Sequence, residues 1–161
     1  MKKQIVFKTP LGFMEIGERN GFVTHANFVD GETPVSDNDS TLLLLEAKRQ
    51  MLLFFEGKLT AFDLPLIFEE GTPFQQKVWQ TLQTIPYGET RSYQDIARLV
   101  GNEKACRAVG GANNKNPIAI IVPCHRVIGA NGKMVGYGGG IDRKIYLLAL
   151  ERIMTMQGVQ S

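Results

Sequence analysis

Ile120-Ile121-Val122-Pro123-Cys124-His125-Arg126-Val127-Ile128 is the stretch around which the chain is organised. The β-branched residues on its N-terminal side predict a buried strand. Pro123 removes a backbone donor and stiffens the exit. A thiol, an imidazole and a guanidinium then follow in succession, enclosed by aliphatic sequence on both sides. Taken alone, Cys124 reads as a small buried hydrophobe, the ordinary condition of a free cysteine. His125 and Arg126 change that reading, because polar groups in an apolar run need a partner or a task.

Upstream, three helices are predicted. Thr72 caps the first, Pro73 takes its first position and Gln75 completes a capping box. Phe74, Val78, Trp79, Leu82 and Ile85 form one apolar stripe, which marks Trp79 as a core anchor rather than a base-stacking residue. Pro86-Tyr87-Gly88 turns the chain. Ser92 caps Tyr93 to Val100, with Asp95 as its capping-box partner and Ile96, Leu99 and Val100 on the core side. After Gly101, Asn102 caps a third helix running from Glu103 to Ala112. Helix, short glycine-containing turn, helix is the helix-turn-helix pattern, a weak signal by itself. The third helix carries Ala105, Cys106, Ala108, Gly110 and Gly111 around one long residue, Arg107. Each glycine lowers helix stability by about 1 kcal/mol relative to alanine. The pattern therefore predicts close approach to another surface, either the rest of the protein or the narrow minor groove of DNA.

Asn113 to Pro117 leaves that helix as a turn. Downstream of Cys124, Gly129-Ala130-Asn131-Gly132 is a second turn. Gly136 to Gly140 surrounds Tyr137 and reads as a pocket wall, since its spacing matches no nucleotide-binding motif. Asp142 starts a last helix with Ile145, Leu148, Ala149 and Arg152 on one face, and Met154 to Ser161 reads as a frayed tail.

Four blocks now stand in order: Arg107-Ala108-Val109-Gly110-Gly111-Ala112 with Asn116-Pro117; Pro123-Cys124-His125-Arg126-Val127; Gly136-Tyr137 with Gly138 to Gly140; and Leu147-Leu148-Ala149 with Glu151. Together they resemble the O6-alkylguanine-DNA alkyltransferase family over about the last ninety residues. The resemblance implies DNA repair by direct damage reversal: irreversible, single-turnover transfer of the alkyl group from O6-alkylguanine, and from O4-alkylthymine, onto Cys124. It implies an α+β protein. Residues 1–71 would be a small ribonuclease-H-like support domain. Residues 72–161 would be a mostly helical, winged-helix-like domain with the helix-turn-helix. It assigns Cys124, His125, Glu151 and Tyr93 to catalysis, with the Tyr93 hydroxyl donating to the base. Arg107, Ala105, Cys106, Gly110 and Ser92 would bind double-stranded DNA through the minor groove, Arg107 filling the space of an extruded base. Asn116, Val127, Tyr137 and Gly138 would form the substrate pocket and its hinge. No cofactor is implied, and the expected state is a cytoplasmic monomer.

A thiol is mostly protonated at neutral pH, so Cys124 needs a base. Neighbours in an extended segment face opposite ways, so a water is expected between Cys124 and His125. Glu151 would orient the imidazole and hold its charged form, by triad logic. On that reading the thiol pKa falls below its ordinary value of about 8.5. The target carbon is inaccessible in a stacked duplex, so the base must be flipped out.

The first half reads as a small α+β support unit with no catalytic constellation. Ile5-Val6-Phe7, Phe13 to Ile16 and Phe22 to Phe28 are strand-like, and Asn20-Gly21 is a hairpin signal. His25 has no partner histidine or cysteine nearby and reads as structural. Asp30 to Ser40 is a loop. Thr41 to Phe55 is a helix whose apolar face is approximated by Leu42, Leu45, Leu52, Leu53 and Phe55, with Arg49 interrupting it. Gly57 stops it, and Leu64 to Phe68 reads as a short edge strand.

Composition narrows the rest. The chain has 161 residues, 43% hydrophobic, which suits one compact unit or two small ones. No apolar run is long enough to span a membrane, and the N-terminus lacks a signal-peptide core. Cys106 and Cys124 are expected as reduced thiols. With His25 and His125 the only histidines, no metal site is predicted; the family's occasional N-terminal zinc lacks its cysteines here. Residues 1–71 carry a net charge of −4 and residues 72–161 a net charge of +6. The positive half suits a phosphate-binding surface. Two rivals remain: a non-catalytic DNA-binding or lesion-sensing module, against which Cys124 argues, and a Cys-His-Glu hydrolase, which leaves Arg107 and its small-residue helix unexplained.

Overall fold

The computed structural model describes residues 2–30, 39–133 and 137–158. Most of the expected loop over 30–40, together with Gly136 and the last three residues of the expected tail, lies outside them. Strands β1 (Lys2–Thr9), β2 (Gly12–Arg19) and β3 (Phe22–Val29) form an antiparallel sheet in the order β1-β2-β3. Asn20 and Gly21 both take positive φ, 54° and 83°, which is the turn whose twist matches a two-residue hairpin. His25 lies over Gly17, where a Cβ would meet its ring at 2.0 Å, and its Nε2 pairs with Glu15 at 2.9 Å. It is a sheet residue with a local partner.

Helix α1 (Leu42–Phe55) is capped by the Thr41 hydroxyl and packs across the sheet through Leu44, Ala47, Met51 and Phe54. This is a different face from the one the leucine run suggests: Leu42 is 89% exposed. The true stripe was hidden because Gln50 belongs to it. Its carboxamide accepts from Asp63 N at 2.9 Å and donates to Asp63 O at 3.1 Å, so a polar side chain is satisfied inside.

The free edge of β3 is covered twice. Residues 65–67 pair with Val23, through Val23 N to Pro65 O and Ile67 N to Val23 O. The expected edge strand at 64–68 is thus a single parallel bridge at Leu66. Further along, Ala26 N donates to Pro117 O and Ala119 N to Ala26 O. This second strap fixes the segment leading into Cys124 onto the sheet, and both straps blunt an edge that would otherwise be exposed.

The helical part follows. Helix α2 (Pro73–Leu82) and helix α3 (Tyr93–Leu99) both begin in complete capping boxes, at Thr72/Gln75 and Ser92/Asp95. In α3 the core side is Ile96, Ala97 and Val100, while Leu99 is exposed. Helix α4 spans Cys106–Asn114, later than the sequence suggests. Asn102 does not cap it; its Oδ1 accepts from Lys104 N in a local turn. Trp79 is a core anchor with a polar handle: its Nε1 donates to Ala112 O at 2.7 Å, tying α2 to the end of α4.

The expected strand through Ile120–Val122 does not form. Ile121 N bonds to Ala119 O, Val122 N to Ile118 O and Cys124 N to Val122 O, a succession of tight turns. Ile120 sits at φ 70°, a conformation that a β-branched residue adopts only under constraint. Cys124–Arg126 then form a single 3-10 turn. Two-residue strands β4 (Arg91–Ser92) and β5 (Val127–Ile128) pair in parallel, joining the start of α3 to the exit from that turn.

Helix α5 (Ile141–Met156) extends three residues into the expected tail and turns Lys144, Leu147 and Glu151 inward. The face expected from Ile145, Leu148, Ala149 and Arg152 is wrong, since Ile145 is 46% exposed. Two of the three inward positions are charged, which disguised the stripe.

Trp79→Phe keeps most of the ring volume but removes the donor to Ala112. A buried carbonyl left without its partner costs about 1–3 kcal/mol. Urea unfolding followed by far-UV circular dichroism should show a loss of that size. A change within about 0.5 kcal/mol, the scale of an ordinary surface substitution, would remove the bond from the account of how α4 is held.

Candidate active site

Cys124 is buried, 4% exposed, at the base of a cavity. The turn that presents it is stapled by two asparagines. Asn116 accepts from Ile118 N at 3.0 Å and donates to Val122 O at 2.8 Å. Asn113, from the last turn of α4, donates to Cys124 O at 3.2 Å. Asn113 is therefore the side chain that links α4 directly to the cysteine residue.

Behind the thiol runs a buried polar chain. His125 Nε2 stands 2.6 Å from Glu151 Oε2. Arg126 grips the same carboxylate through Nε at 2.9 Å and Nη2 at 3.0 Å, while its Nη1 donates to Ile85 O at 2.7 Å. Gly88 N adds a further donor to Glu151 Oε1 at 3.0 Å. Burial alone would raise the Glu151 pKa; the hydrogen bonds and charges of His125 and Arg126 overcome this and hold it at about 2. His125 goes the other way. Burial lowers its pKa, and the opposing influence of Glu151 is outweighed. Its Nδ1 is buried and has no hydrogen-bond partner among the described residues.

The Cys124 thiol does not become acidic. Burial pushes its pKa up to about 11, against the lowering influence of Asn116, Lys144 and Tyr137. The expected depressed thiol and resting imidazolium are both corrected by this arrangement. Arg126 already neutralises Glu151, and the whole assembly is out of water, so the neutral thiol and neutral imidazole are the favoured resting forms.

Lys144 is buried and donates to Val127 O at 2.5 Å. Burial lowers its pKa to about 8. Its Nζ lies 5.9 Å from the centre of the Tyr93 ring. Burial, reinforced by Cys124, raises the Tyr93 pKa and keeps it a donor. Tyr137 is buried beside the thiol, and burial raises its pKa well above the ordinary range. Gly138 and Gly139 are required by their surroundings: a Cβ on Gly138 would meet Asn114 O at 2.8 Å, and one on Gly139 the Tyr137 ring at 2.7 Å.

The named residues thus separate into two groups. Cys124, His125 and Glu151 come together with Asn116, Val127, Tyr137 and Gly138 around them. Arg107 is exposed on α4, Gly110 packs loosely on the Tyr93 ring, and Ser92 caps α3 with its hydroxyl on Asp95 N. Ala105 is buried before α4, which leaves it little surface for a nucleic acid. The Cys106 thiol is half-buried and donates to Gln94 Oε1 at 3.0 Å.

Four contributors escaped the sequence reading. Arg126 carried a usable signal, since a guanidinium inside an apolar run requires an acid. Lys144 and Asn113 carried none beyond helical spacing. The fourth is the sheet itself: Asn27, Phe28 and Asp30 line the cavity together with Tyr137, although the first half of the chain reads as mere support. A second cavity, lined by Phe62, Leu64, Tyr87 and Arg126, opens elsewhere, and Cys124 is not among its walls.

The DNA-binding-domain model of the 6-O-methylguanine DNA methyltransferases matches residues 73–153. A methylated-DNA–protein-cysteine methyltransferase of Methanosarcina acetivorans is 50% identical over 151 residues, covering 91% of this chain and 96% of that one. The constitutive enzyme of the same name from Bacillus subtilis is 48% identical over 154 residues, covering 91% and 93%. Among solved structures, Mycobacterium tuberculosis O6-methylguanine methyltransferase superposes with a TM-score of 0.84 at 45% identity, covering 96% of this chain and 94% of that one. The M. tuberculosis protein in complex with DNA gives 0.83 at 45% identity, covering 95% and 93%. A thiol, a buried base and its carboxylate, set in a chain this similar from end to end, mean that the protein belongs to the methylated-DNA–protein-cysteine methyltransferase family of DNA-repair proteins.

Proposed function

We propose that Cys124 is the acceptor of the alkyl group and that it reacts from a neutral thiol–imidazole pair. The observation that carries this reading is Cys124 at the base of the cavity with the His125–Glu151–Arg126 chain packed behind it. The thiol proton passes through a bridging water to His125 Nδ1, the ring atom with no partner among the described residues. The sulfur attacks the saturated carbon on guanine O6. The carbon–oxygen bond breaks and its electron pair stays on the base. Tyr93 supplies a proton to the ring as that charge develops, and the nearby Lys144 ammonium stabilises it. Exchange with solvent after the base leaves restores both residues. The thioether formed has no easy leaving group, so each molecule reacts once. O4-alkylthymine presents the same carbon–oxygen bond and is the second substrate in this reading.

Duplex DNA would be engaged through α3 and α4 as a helix-turn-helix. The outer face of α4 offers Arg107, Ala108 and Gly111, all exposed, with Lys104 and Lys115 at its ends. Beyond its chain neighbours and its own helix backbone, no atom of the described residues lies within 4 Å of where a Cβ on Gly111 would stand, so packing against the rest of the protein does not demand that glycine. A bare helix face suits the minor groove, and Arg107 is the side chain long enough to fill the stack after base extrusion. In this reading residues 1–71 are a ribonuclease-H-like support domain. Residues 72–161 are the winged-helix-like transfer domain, with β4–β5 beside α3. The protein acts as a cytoplasmic monomer; no helix among the described residues is long and apolar enough to cross a membrane.

After mixing with an O6-methylguanine duplex, intact mass should rise by one CH2, with peptide mapping placing the methyl on Cys124. Stoichiometric transfer persisting in Cys124→Ala would sink the assignment and point to Cys106. Arg107→Ala should slow repair of the duplex by at least about tenfold while sparing reaction with free O6-benzylguanine, which needs no flipping. Equal losses on both would make Arg107 a pocket or folding residue.

The pH dependence follows from the two pKa directions. Only neutral His125 accepts the thiol proton, so the single-turnover rate should fall with acid only below the ordinary imidazole value of about 6.5. It should then stay level until the thiol itself ionises near pH 11. Glu151→Gln should lower the level part about a hundredfold, with folding checked by thermal melt. The two profiles should approach each other only toward pH 11. Convergence near pH 8.5, the ordinary thiol value, would overturn the neutral-pair mechanism.

A further inference from the structure

Arg143, in the first turn of α5, joins three separate parts of the chain. Its Nε donates to Leu11 O at 3.1 Å, in the turn between β1 and β2. Its Nη1 donates to Gly139 O at 3.0 Å, in the glycine segment after Tyr137. Its guanidinium carbon stands 4.3 Å from the centre of the Phe28 ring, on β3. Phe28 and Gly139 also meet directly: a Cβ on Gly139 would lie 3.5 Å from Phe28 Cδ2. These contacts are at the cavity that holds Cys124. Phe28 from the sheet, Tyr137 to Gly139 and Arg143 all line it.

The planar fork of an arginine serves two carbonyls and one aromatic face at once, which a lysine ammonium does not. We infer that Arg143 is a positioning residue: it clasps the Tyr137–Gly139 segment to Phe28 of the sheet, sets the width of the cavity over Cys124, and so limits the size of alkyl group that is transferred. The inference rests on reading this cavity as the pocket for the alkylated base. Gly139 has no side chain through which the segment could hold itself to the sheet, and Phe28 offers no hydrogen bond to it. The hydrogen bond that fixes their separation comes from Arg143. Loosening it moves the segment away from Phe28 and widens the space beyond the sulfur. A small group is then held less well in line for attack, and a large one is admitted more readily.

The test compares O6-methylguanine and O6-benzylguanine placed in the same duplex sequence, so that flipping is common to both. Single-turnover rate constants are measured for wild type, Arg143→Ala, Arg143→Lys and Phe28→Leu. In Arg143→Ala the ratio of benzyl to methyl transfer should rise by about tenfold, because a pocket wall discriminates at that scale. Arg143→Lys should fall between alanine and wild type, and Phe28→Leu should shift the ratio in the same direction while leaving both hydrogen bonds in place. If Arg143 only knits the fold together, melting temperature falls and both rates fall by one factor, leaving the ratio unchanged; that outcome overturns the inference. Should Arg143→Ala fail to fold, the ratios in Arg143→Lys and Phe28→Leu decide it. Absence of transfer by wild type from either substrate would instead overturn the assignment of the pocket.

Discussion

The structure depends on one buried carboxylate. Removing Glu151 from water costs several kcal/mol, and such a group persists only when its oxygens are fully partnered. Here His125, two nitrogens of Arg126 and the Gly88 amide all converge on it. The carboxylate and its partners come from three pieces of chain. Glu151 comes from α5, His125 and Arg126 from the 3-10 turn after Cys124, and Gly88 from the turn between α2 and α3. Arg126 reaches on to Ile85 O, just beyond α2. One charge cluster therefore fixes the angle at which the last helix, the cysteine turn and the end of α2 meet. It also sets the chemistry. With Arg126 as the counter-charge, Glu151 orients the imidazole without having to convert it to the cation. A base that is already protonated accepts no proton, so burial, helped by the arginine's charge, is what leaves His125 able to act.

Much of this was legible beforehand, and the failures share a cause. Capping boxes at Thr72/Gln75 and Ser92/Asp95, the Asn20-Gly21 hairpin and the Trp79 anchor are local devices, written in adjacent residues. Helices α1 and α5 were placed correctly but turned to the wrong face. In each, polar residues occupy core positions: Gln50 in α1, Lys144 and Glu151 in α5. Periodicity arguments assume that polar means outward. They fail where a long-range partner, the Asp63 backbone or the Arg126 guanidinium, satisfies the group inside. Local and global preferences conflict most where function resides.

The turn before Cys124 is the same lesson in backbone form. Three β-branched residues in a row favour a strand. The chain instead folds back on itself there, with Ile120 at positive φ and Asn116 stapling both ends of the loop. The strap between Ala26 and residues 117–119 then anchors the loop to the sheet edge. The strap cannot be read from spacing, because it joins segments far apart in the chain. The wall formed by Asn27, Phe28 and Asp30 is hidden for the same reason. They read as ordinary strand-end residues until the fold brings the cavity to them.

Burial of the Cys124 thiol has a consequence for the life of the protein between lesions. With a pKa of about 11, only about one molecule in ten thousand carries a thiolate at pH 7. An ordinary exposed cysteine is ionised to the extent of a few per cent under the same conditions. Peroxides and soluble electrophiles react with the thiolate and need access to it. A protein that reacts once has no second chance after oxidation or adventitious alkylation. A neutral, sheltered sulfur, ionised only when a base withdraws its proton toward a bound substrate, preserves that single equivalent in a cell full of competing oxidants.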